Sequence, residues 1–256
     1  MTQPNVIARH ALLTFFGVSL GVSAVGMALA QATGNETLSI LVPLSPSLIA
    51  IAVTALAFGR EGLRAMLKGT FIAQINLRWA LVALLLIPIL GALAVGVHAR
   101  FGGPALGLRT TQLLPQVIVI LLISLGEEFG WRGFALPRLQ ERFSALNASL
   151  VLGVVWGLWH FPGYLAGVGV PLDLPFAVFV LWAVLASILM TWVYNHTGGS
   201  ILSAVLFHSA ANATFNYLPL LPEWTGQRTT FYVFLGLVAL MVAWAVVRYG
   251  ARRLVR

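Results

Sequence analysis

The sequence predicts an all-α integral membrane protein that crosses the membrane about eight times. Its 256 residues are 59% hydrophobic and only 9% charged, whereas a soluble domain carries roughly 25% charged residues. The mean hydropathy is +0.93. A membrane-spanning helix needs about 20 apolar residues, and eight segments meet that need: 11–30, 38–58, 79–97, 113–131, 148–167, 174–194, 199–218 and 230–249. With so few charges, the chain is not a soluble globular protein.

The basic residues predict the orientation of these spans. With the N-terminus inside, 12 of the 15 lysines and arginines fall in cytoplasmic segments, and only Arg100, Arg109 and Arg228 fall outside. This bias follows the positive-inside rule and places both termini in the cytoplasm. Topology therefore accounts for the net charge of +8, and no nucleic-acid partner is expected.

The chain is expected to form one integral membrane domain in three parts. Residues 1–112 hold the N-terminal spans, 113–218 the core with the polar motifs, and 219–256 the last span and a basic tail. Within the first part, residues 59–78 are expected to form an amphipathic helix on the inner membrane surface. Its apolar positions recur at helical spacing opposite a basic face: Leu63, Met66, Leu67 and Phe71 against Arg60, Arg64 and Lys68.

The first span raises the question of cleavage. The sequence MALAQ (27–31) resembles a signal-peptidase site. The apolar stretch 11–30 is, however, longer than the roughly 7–15 residues usual in a signal peptide. A retained first helix is therefore favoured.

Two adjacent glutamates stand at the end of the fourth span, in LGEEFGWRG (125–133). Glu128 and Arg132 are four residues apart in the order that favours an ion pair on one helix face. Glu127 has no such neighbour within its helix, so it must be protonated, face water or meet a partner from another span. The alternative is a purely structural role, in which both glutamates anchor a helix end at the membrane interface. Ionisable residues inside spans otherwise tend to mark function.

Two further motifs place histidines inside spans. In WGLWHFPGY (156–164), His160 lies near mid-span, one turn after Trp156, and Pro162 predicts a local break in the helix. In HSAAN (208–212), His208 and Asn212 share one helix face. Buried histidines are often structural, and such polar pairs also hold helices together. These readings stay open for each motif taken alone.

Together the unpaired Glu127, the two histidines inside spans, His160 and His208, and Asn212 suit hydrolysis. A carboxylate and an imidazole can hold and deprotonate a water molecule. An imidazole and an amide can donate hydrogen bonds to an oxyanion. The absence of cysteine excludes disulfides, thiolate metal ligands and a cysteine nucleophile.

The three motifs resemble those of the CPBP family of intramembrane proteases, also called the Abi or type II CAAX prenyl endopeptidase family. This family includes proteins similar to the lysostaphin resistance protein. EEFGWR matches E-E-x-x-x-R, WGLWH matches an aromatic-x-x-x-H and HSAAN matches H-x-x-x-N, in that order and on separate spans. The resemblance covers roughly residues 113–218. Trp156 is a departure, because many members have phenylalanine at this position.

The resemblance implies a polar catalytic cavity and a role for each residue. Glu127 and His160 would activate water, and His208 and Asn212 would form the oxyanion hole. The supporting residues would be Glu128, Arg132 and Trp156. The implied substrate is a membrane-associated protein or peptide, which in the eukaryotic branch is prenylated. The composition and short loops favour a bacterial inner membrane as the location, and the oligomeric state is open.

Whether a metal takes part is a separate question. Members of the family are often called metalloproteases, and Glu127, His160 and His208 would supply three zinc ligands with a position left for water. Asn212 is a poor zinc ligand but a good oxyanion donor, and the sequence has no H-E-x-x-H motif. A metal-free, glutamate-dependent mechanism is therefore favoured, with zinc as the alternative.

Two other functions compete with proteolysis. A non-catalytic membrane scaffold, for example in bacteriocin immunity, would keep the fold and work by binding. A proton-coupled transporter would use the same polar core but is expected to show two similar halves. No internal symmetry is visible in the sequence.

Overall fold

The computed structural model describes residues 6–71, 75–109 and 113–255, and within those ranges the fold is entirely helical. The α-helices, numbered in chain order, are α1 Val6–Arg9, α2 Ala11–Thr33, α3 Glu36–Leu41, α4 Ser45–Phe71, α5 Leu77–Ala99, α6 Leu113–Gly130, α7 Leu136–Gln140, α8 Ala145–Trp159, α9 Phe161–Ala166, α10 Phe176–His196, α11 Ile201–Tyr217, α12 Pro222–Thr225 and α13 Thr229–Tyr249. A 3₁₀ turn, Val42–Leu44, precedes α4, and a π-helical turn, Trp131–Ala135, joins α6 to α7. The all-α prediction is confirmed.

Seven helical segments of the described chain are long and apolar enough to cross a membrane. The predicted span 199–218 corresponds to α11, which is a helix but has only 17 residues. It rises about 25 Å, less than the roughly 30 Å of a bilayer's hydrocarbon core. Most of its side chains are buried against other helices. The chain is therefore a polytopic membrane protein with helical structure in all eight predicted segments, and the seventh segment, which forms α11, is an interior helix.

The bundle is organised around α10 and α11. Helix α10 is buried along nearly its whole second half and packs mainly against α8, while α11 packs against α5 and α6. Gly153 allows the close approach of α8 to α10, because a Cβ atom there would lie 2.6 Å from the backbone of Val184. Helix α4 closes the other side of α6, and α13 covers α5.

Helix α4 changes direction at Gly59, whose φ of 62° and ψ of −156° interrupt the helical conformation. After this break the helix continues to Phe71, with Arg60 and Arg64 exposed and Met66 half-buried. A helix therefore occupies most of the segment predicted to be amphipathic, whose residues 72–74 lie outside the described part of the chain. Its position on the membrane surface stays a prediction.

The lower part of α6 is held tightly against the segment that enters α4. A Cβ atom at Gly130 would lie 2.5 Å from the backbone of Pro46, and one at Gly126 would lie 2.9 Å from the carbonyl oxygen of Pro43. Only glycine allows this approach. Close packing at the two glycines therefore places Glu127 and Glu128 in the protein interior.

Candidate active site

A cavity of about 1000 Å³ lies between α2, α6, α8, α10 and α11. All four residues predicted to be catalytic contribute to its wall: Glu127, His160, His208 and Asn212. Trp156 lines it as well, and the rest of the wall is mainly apolar. The lining also includes two exposed glutamates, Glu36 and Glu223, and contains no lysine or arginine among the described residues.

One wall of the site is a buried network of charged groups around Glu128. Nη1 of Arg132 donates to Oε1 of Glu128 over 2.9 Å, which is the ion pair expected from the four-residue spacing. Nδ1 of His208 lies 2.8 Å from the same oxygen. Glu128 and Arg132 are both fully buried. The carboxylate of Glu128 therefore joins α6 to α11, a contact that the sequence did not reveal.

Glu127 meets its partner on α8, since the indole Nε1–H of Trp156 donates to Oε2 of Glu127 over 2.7 Å. The glutamate is 2% exposed, and a buried carboxylate without a donor would be costly. The guanidinium of Arg132 lies 4.7 Å from the centre of the Trp156 ring, on which it makes a cation–π contact. Trp156 thus connects both glutamates of the motif to α8.

His160 sits at the break between α8 and α9 that Pro162 predicted. Its Nδ1 lies 2.8 Å from the backbone carbonyl oxygen of Trp156. A carbonyl oxygen only accepts hydrogen bonds, so Nδ1 carries the proton, and in the neutral ring Nε2 is left as an acceptor. The ring also packs against Trp159 and Phe179. These contacts fix both the tautomer and the orientation of the imidazole.

The α11 residues His208 and Asn212 lie one turn apart on the cavity side. His208 is 5% exposed, and its ring meets that of Trp156 edge to face at 5.3 Å. Asn212 is half-buried, and its backbone carbonyl accepts a bond from the Asn216 side chain. The side-chain amide of Asn212 makes no hydrogen bond with any described residue, so it is available to a molecule in the cavity.

The structure does not bring Glu127, His160 and His208 together as a metal site. Among the described residues, no three His, Asp or Glu side chains are arranged so that they could hold a metal ion. Nδ1 of His208 is engaged by Glu128 and Oε2 of Glu127 by Trp156, so the atoms left free are Nε2 of His208 and Oε1 of Glu127. Because the described part of the chain contains no such group of three ligands, the zinc-ligand set considered from the sequence does not fit this arrangement of side chains.

Comparisons with known proteins agree with the motifs. Residues 109–214 match the family described as Type II CAAX prenyl endopeptidase Rce1-like. The chain is also 30% identical over 151 residues to CAAX prenyl protease 2 of Methanococcus maripaludis, a match that covers 54% of this chain. The chain spans about half of that relative's length, since the match covers 56% of it. Over residues 109–214 the chain is thus similar to type II CAAX prenyl endopeptidases, and this region contains the three motifs on α6, α8 and α11.

Proposed function

We propose that this protein is an intramembrane endopeptidase that hydrolyses a peptide bond of a membrane-associated protein or peptide. The observation that supports this most strongly is the cavity in which Glu127, His160, His208 and Asn212 share one mainly apolar wall. A carboxylate, two imidazoles and an amide around one enclosed space provide both parts of a hydrolytic site: a base for water and donors for an oxyanion.

The first step is activation of the attacking water by Glu127 and His160. Because Trp156 holds Oε2 of Glu127, Oε1 is the carboxylate oxygen left to accept a hydrogen bond from water. Nε2 of His160 is the ring atom left as acceptor. Water held between them loses a proton to one of these groups as its oxygen attacks the peptide carbonyl carbon. The same proton then goes to the leaving amine.

The second part is stabilisation of the oxyanion by His208 and Asn212. Nδ1 of His208 is bonded to the carboxylate of Glu128, so donation to the oxyanion comes from Nε2 of a doubly protonated ring. The site then contains two carboxylates, one guanidinium and one imidazolium, whose charges balance. The free side-chain amide of Asn212 supplies a second N–H donor one helical turn away.

The apolar wall suits a substrate segment that enters from the membrane. A volume of about 1000 Å³ is at the upper end of the roughly 300–1,000 Å³ of ligand pockets. It is large enough for several apolar side chains or for a prenyl group beside the cleaved bond. We therefore propose a multi-pass protease of a bacterial inner membrane that accepts membrane-bound peptides and works without a metal.

The direct test uses purified protein in lipid nanodiscs and a set of labelled peptides that each carry one apolar membrane segment. Mass spectrometry of the products identifies any bond that is cleaved. Cleavage by the wild type, its loss in Glu127→Gln and a strong decrease in Asn212→Ala would support the proposal. Cleavage that persists in Glu127→Gln would overturn the assigned mechanism.

A scaffold role is tested in cells that depend on this protein. Glu127→Ala and His208→Ala are introduced, and their expression is matched to the wild type. Full complementation by both variants would show that the cellular role is binding without chemistry. Loss of complementation by both is the result expected for a protease.

A further inference from the structure

A second cavity, of about 640 Å³, lies at the opposite end of the bundle from the candidate active site. It is formed by the turn between α7 and α8, the turn between α10 and α11, and the C-terminal residues after α13. Helix α10 contributes to both walls, since Phe179, Ala186 and Met190 line the large cavity and Tyr194 and Asn195 line this one. By the orientation predicted from the basic residues, this second cavity faces the cytoplasm.

The wall of this cavity is basic. Three arginines line it, Arg142, Arg252 and Arg253, together with one acidic residue, Glu141. All three arginines are exposed, and none of them forms an ion pair within the described part of the chain. Their positive charge is therefore available to an anion that enters the cavity.

The frame around the arginines is rigid because the C-terminal segment is tied to the ends of two helices. The amides of Ala145 and Leu146, in the first turn of α8, donate to the carbonyl oxygens of Arg252 and Ala251 over 2.8 and 3.1 Å. Nδ2 of Asn195 donates to the carbonyl oxygen of Arg253 over 2.7 Å. These bonds hold the C-terminal segment through its backbone carbonyl oxygens. The guanidinium groups of Arg252 and Arg253 are therefore not needed to hold the segment in place.

Asn195 is in turn fixed from the other side of the cavity. It exchanges two side-chain hydrogen bonds with Gln140, of 2.9 and 3.2 Å. Leu254 anchors the end of the segment, because its side chain is fully buried and its φ is +54°, a conformation that leucine adopts only when its surroundings hold it there. The basic cavity is thus a built feature of the fold.

The hydroxyl of Tyr194 provides a second sign of a ligand. Tyr194 lines the cavity and is only 8% exposed, yet its hydroxyl makes no hydrogen bond with any described residue. It lies against Gly199, where a Cβ atom would be 3.3 Å from the hydroxyl oxygen. The φ of +88° at Gly199 favours glycine, and the absent side chain leaves the hydroxyl accessible. The hydroxyl is therefore a free donor at the cavity wall, and an anion in the cavity would accept a hydrogen bond from it.

We propose that this cavity binds the phosphate group of an anionic lipid headgroup in the inner leaflet. Guanidinium groups and a hydroxyl are the donors that recognise phosphate oxygens. Basic pockets between helices on the cytoplasmic side are suited to acidic headgroups, and the leaflet there carries negative lipids. A bound headgroup bridges the α7–α8 turn, the α10–α11 turn and the C-terminal segment, so it stabilises their arrangement.

The test compares the protein in nanodiscs of phosphatidylcholine with and without phosphatidylglycerol. We expect phosphatidylglycerol to raise the melting temperature and to remain bound in native mass spectrometry. Each arginine near an acidic surface contributes enough to change affinity about fivefold. Arg252→Gln/Arg253→Gln is therefore expected to lower lipid retention roughly 25-fold. Tyr194→Phe, which removes no hydrogen bond within the protein, is expected to lower it several-fold.

The matched control is Arg60→Gln/Arg64→Gln, which removes the same charge from exposed positions outside the cavity. Retention of phosphatidylglycerol should fall much less in this variant than in Arg252→Gln/Arg253→Gln, because Arg60 and Arg64 do not line the cavity. An equal loss in both double variants would show a general attraction to the surface and would overturn the proposal. Adding inorganic phosphate to the protein in phosphatidylcholine nanodiscs distinguishes binding of a lipid headgroup from binding of free phosphate. Stabilisation by phosphate as strong as that by phosphatidylglycerol would overturn the lipid assignment.

Discussion

Trp156 and Glu127, on two different helices, are joined by a 2.7 Å hydrogen bond from the indole N–H to the carboxylate. The backbone carbonyl oxygen of the same tryptophan accepts a hydrogen bond from Nδ1 of His160. One residue of α8 therefore orients both groups proposed to activate water, and its ring also touches Arg132 and His208. We infer that Trp156 is the positioning residue of the site.

Trp156→Phe tests this role because it keeps an aromatic ring and removes only the N–H donor. A hydrogen bond to a charged group contributes about 1.5–3 kcal/mol, so we expect kcat to fall at least about tenfold with little change in KM. The matched control is Trp159→Phe, since the indole N–H of Trp159 has no partner among the described residues. Steady-state kinetics on a cleaved peptide would show the difference. Equal effects of both variants would contradict the assigned role.

Glu127→Gln separates chemistry from folding. The amide oxygen of glutamine still accepts the bond from Trp156, so the fold is expected to persist with a melting temperature close to that of the wild type. Turnover is expected to fall by 10²-fold or more, because general base catalysis typically contributes 10²–10⁴-fold. Activity and thermal unfolding are measured on the same preparation. A large drop in melting temperature would point to a structural role for Glu127.

Arg132→Ala is expected to behave in the opposite way. It leaves the fully buried Glu128 without its guanidinium partner, and removing one member of a buried pair costs about 3–5 kcal/mol. At roughly 2–4 °C per kcal/mol for a chain of this size, the melting temperature should fall by about 10 °C. Arg100→Ala is the control, since Arg100 is exposed. A melting temperature like that of the control would contradict the importance of the buried network.

The acidic lining of the large cavity predicts a preference among substrates. Glu36 and Glu223 are exposed at its wall, which has no basic residue of the described chain. Peptides with a lysine next to the apolar segment should therefore be cleaved about fivefold more efficiently than those with a glutamate, which corresponds to about 1 kcal/mol per charge pair in water. The double variant Glu36→Gln/Glu223→Gln should abolish this preference while cleavage of neutral peptides continues.

Arg109 and Arg228 do not line the large cavity. Arg109 stacks on Trp224 at 3.5 Å, and Arg228 donates to the carbonyl oxygen of Asp173. Added salt should weaken the lysine preference, because exposed charges are screened. A preference that survives both the double variant and high salt would show that it has another origin.

Metal dependence is tested by elemental analysis and chelation. We expect the purified, active protein to contain no stoichiometric zinc and to keep its activity after treatment with a strong chelator. Stoichiometric zinc that is lost together with activity would overturn the metal-free mechanism. It would also require Glu127, His160 and His208 to rearrange from the positions they have here.

Local patterns in the sequence predicted the helices and one contact of the site. The four-residue spacing of Glu128 and Arg132 predicted their ion pair, and Pro162 predicted the break beside His160. The bonds from Trp156 to Glu127 and from His208 to Glu128 join separate helices, and no local spacing specifies such contacts. The interior position of α11 was missed for the same reason, since composition alone does not distinguish burial in protein from burial in lipid.

The π-helical turn Trp131–Ala135 fixes the number of residues that the chain must have between Glu128 and Gln140. This turn contains one residue more than a regular α-helix would need, so it sets the rotation of α7 relative to α6. Deleting a single residue here would allow a continuous helix but would turn everything beyond it by about 100°. Either Glu128 would lose His208 or Gln140 would lose Asn195. The extra residue thus allows the contact of Glu128 with His208 and the contact of Gln140 with Asn195 to form at the same time.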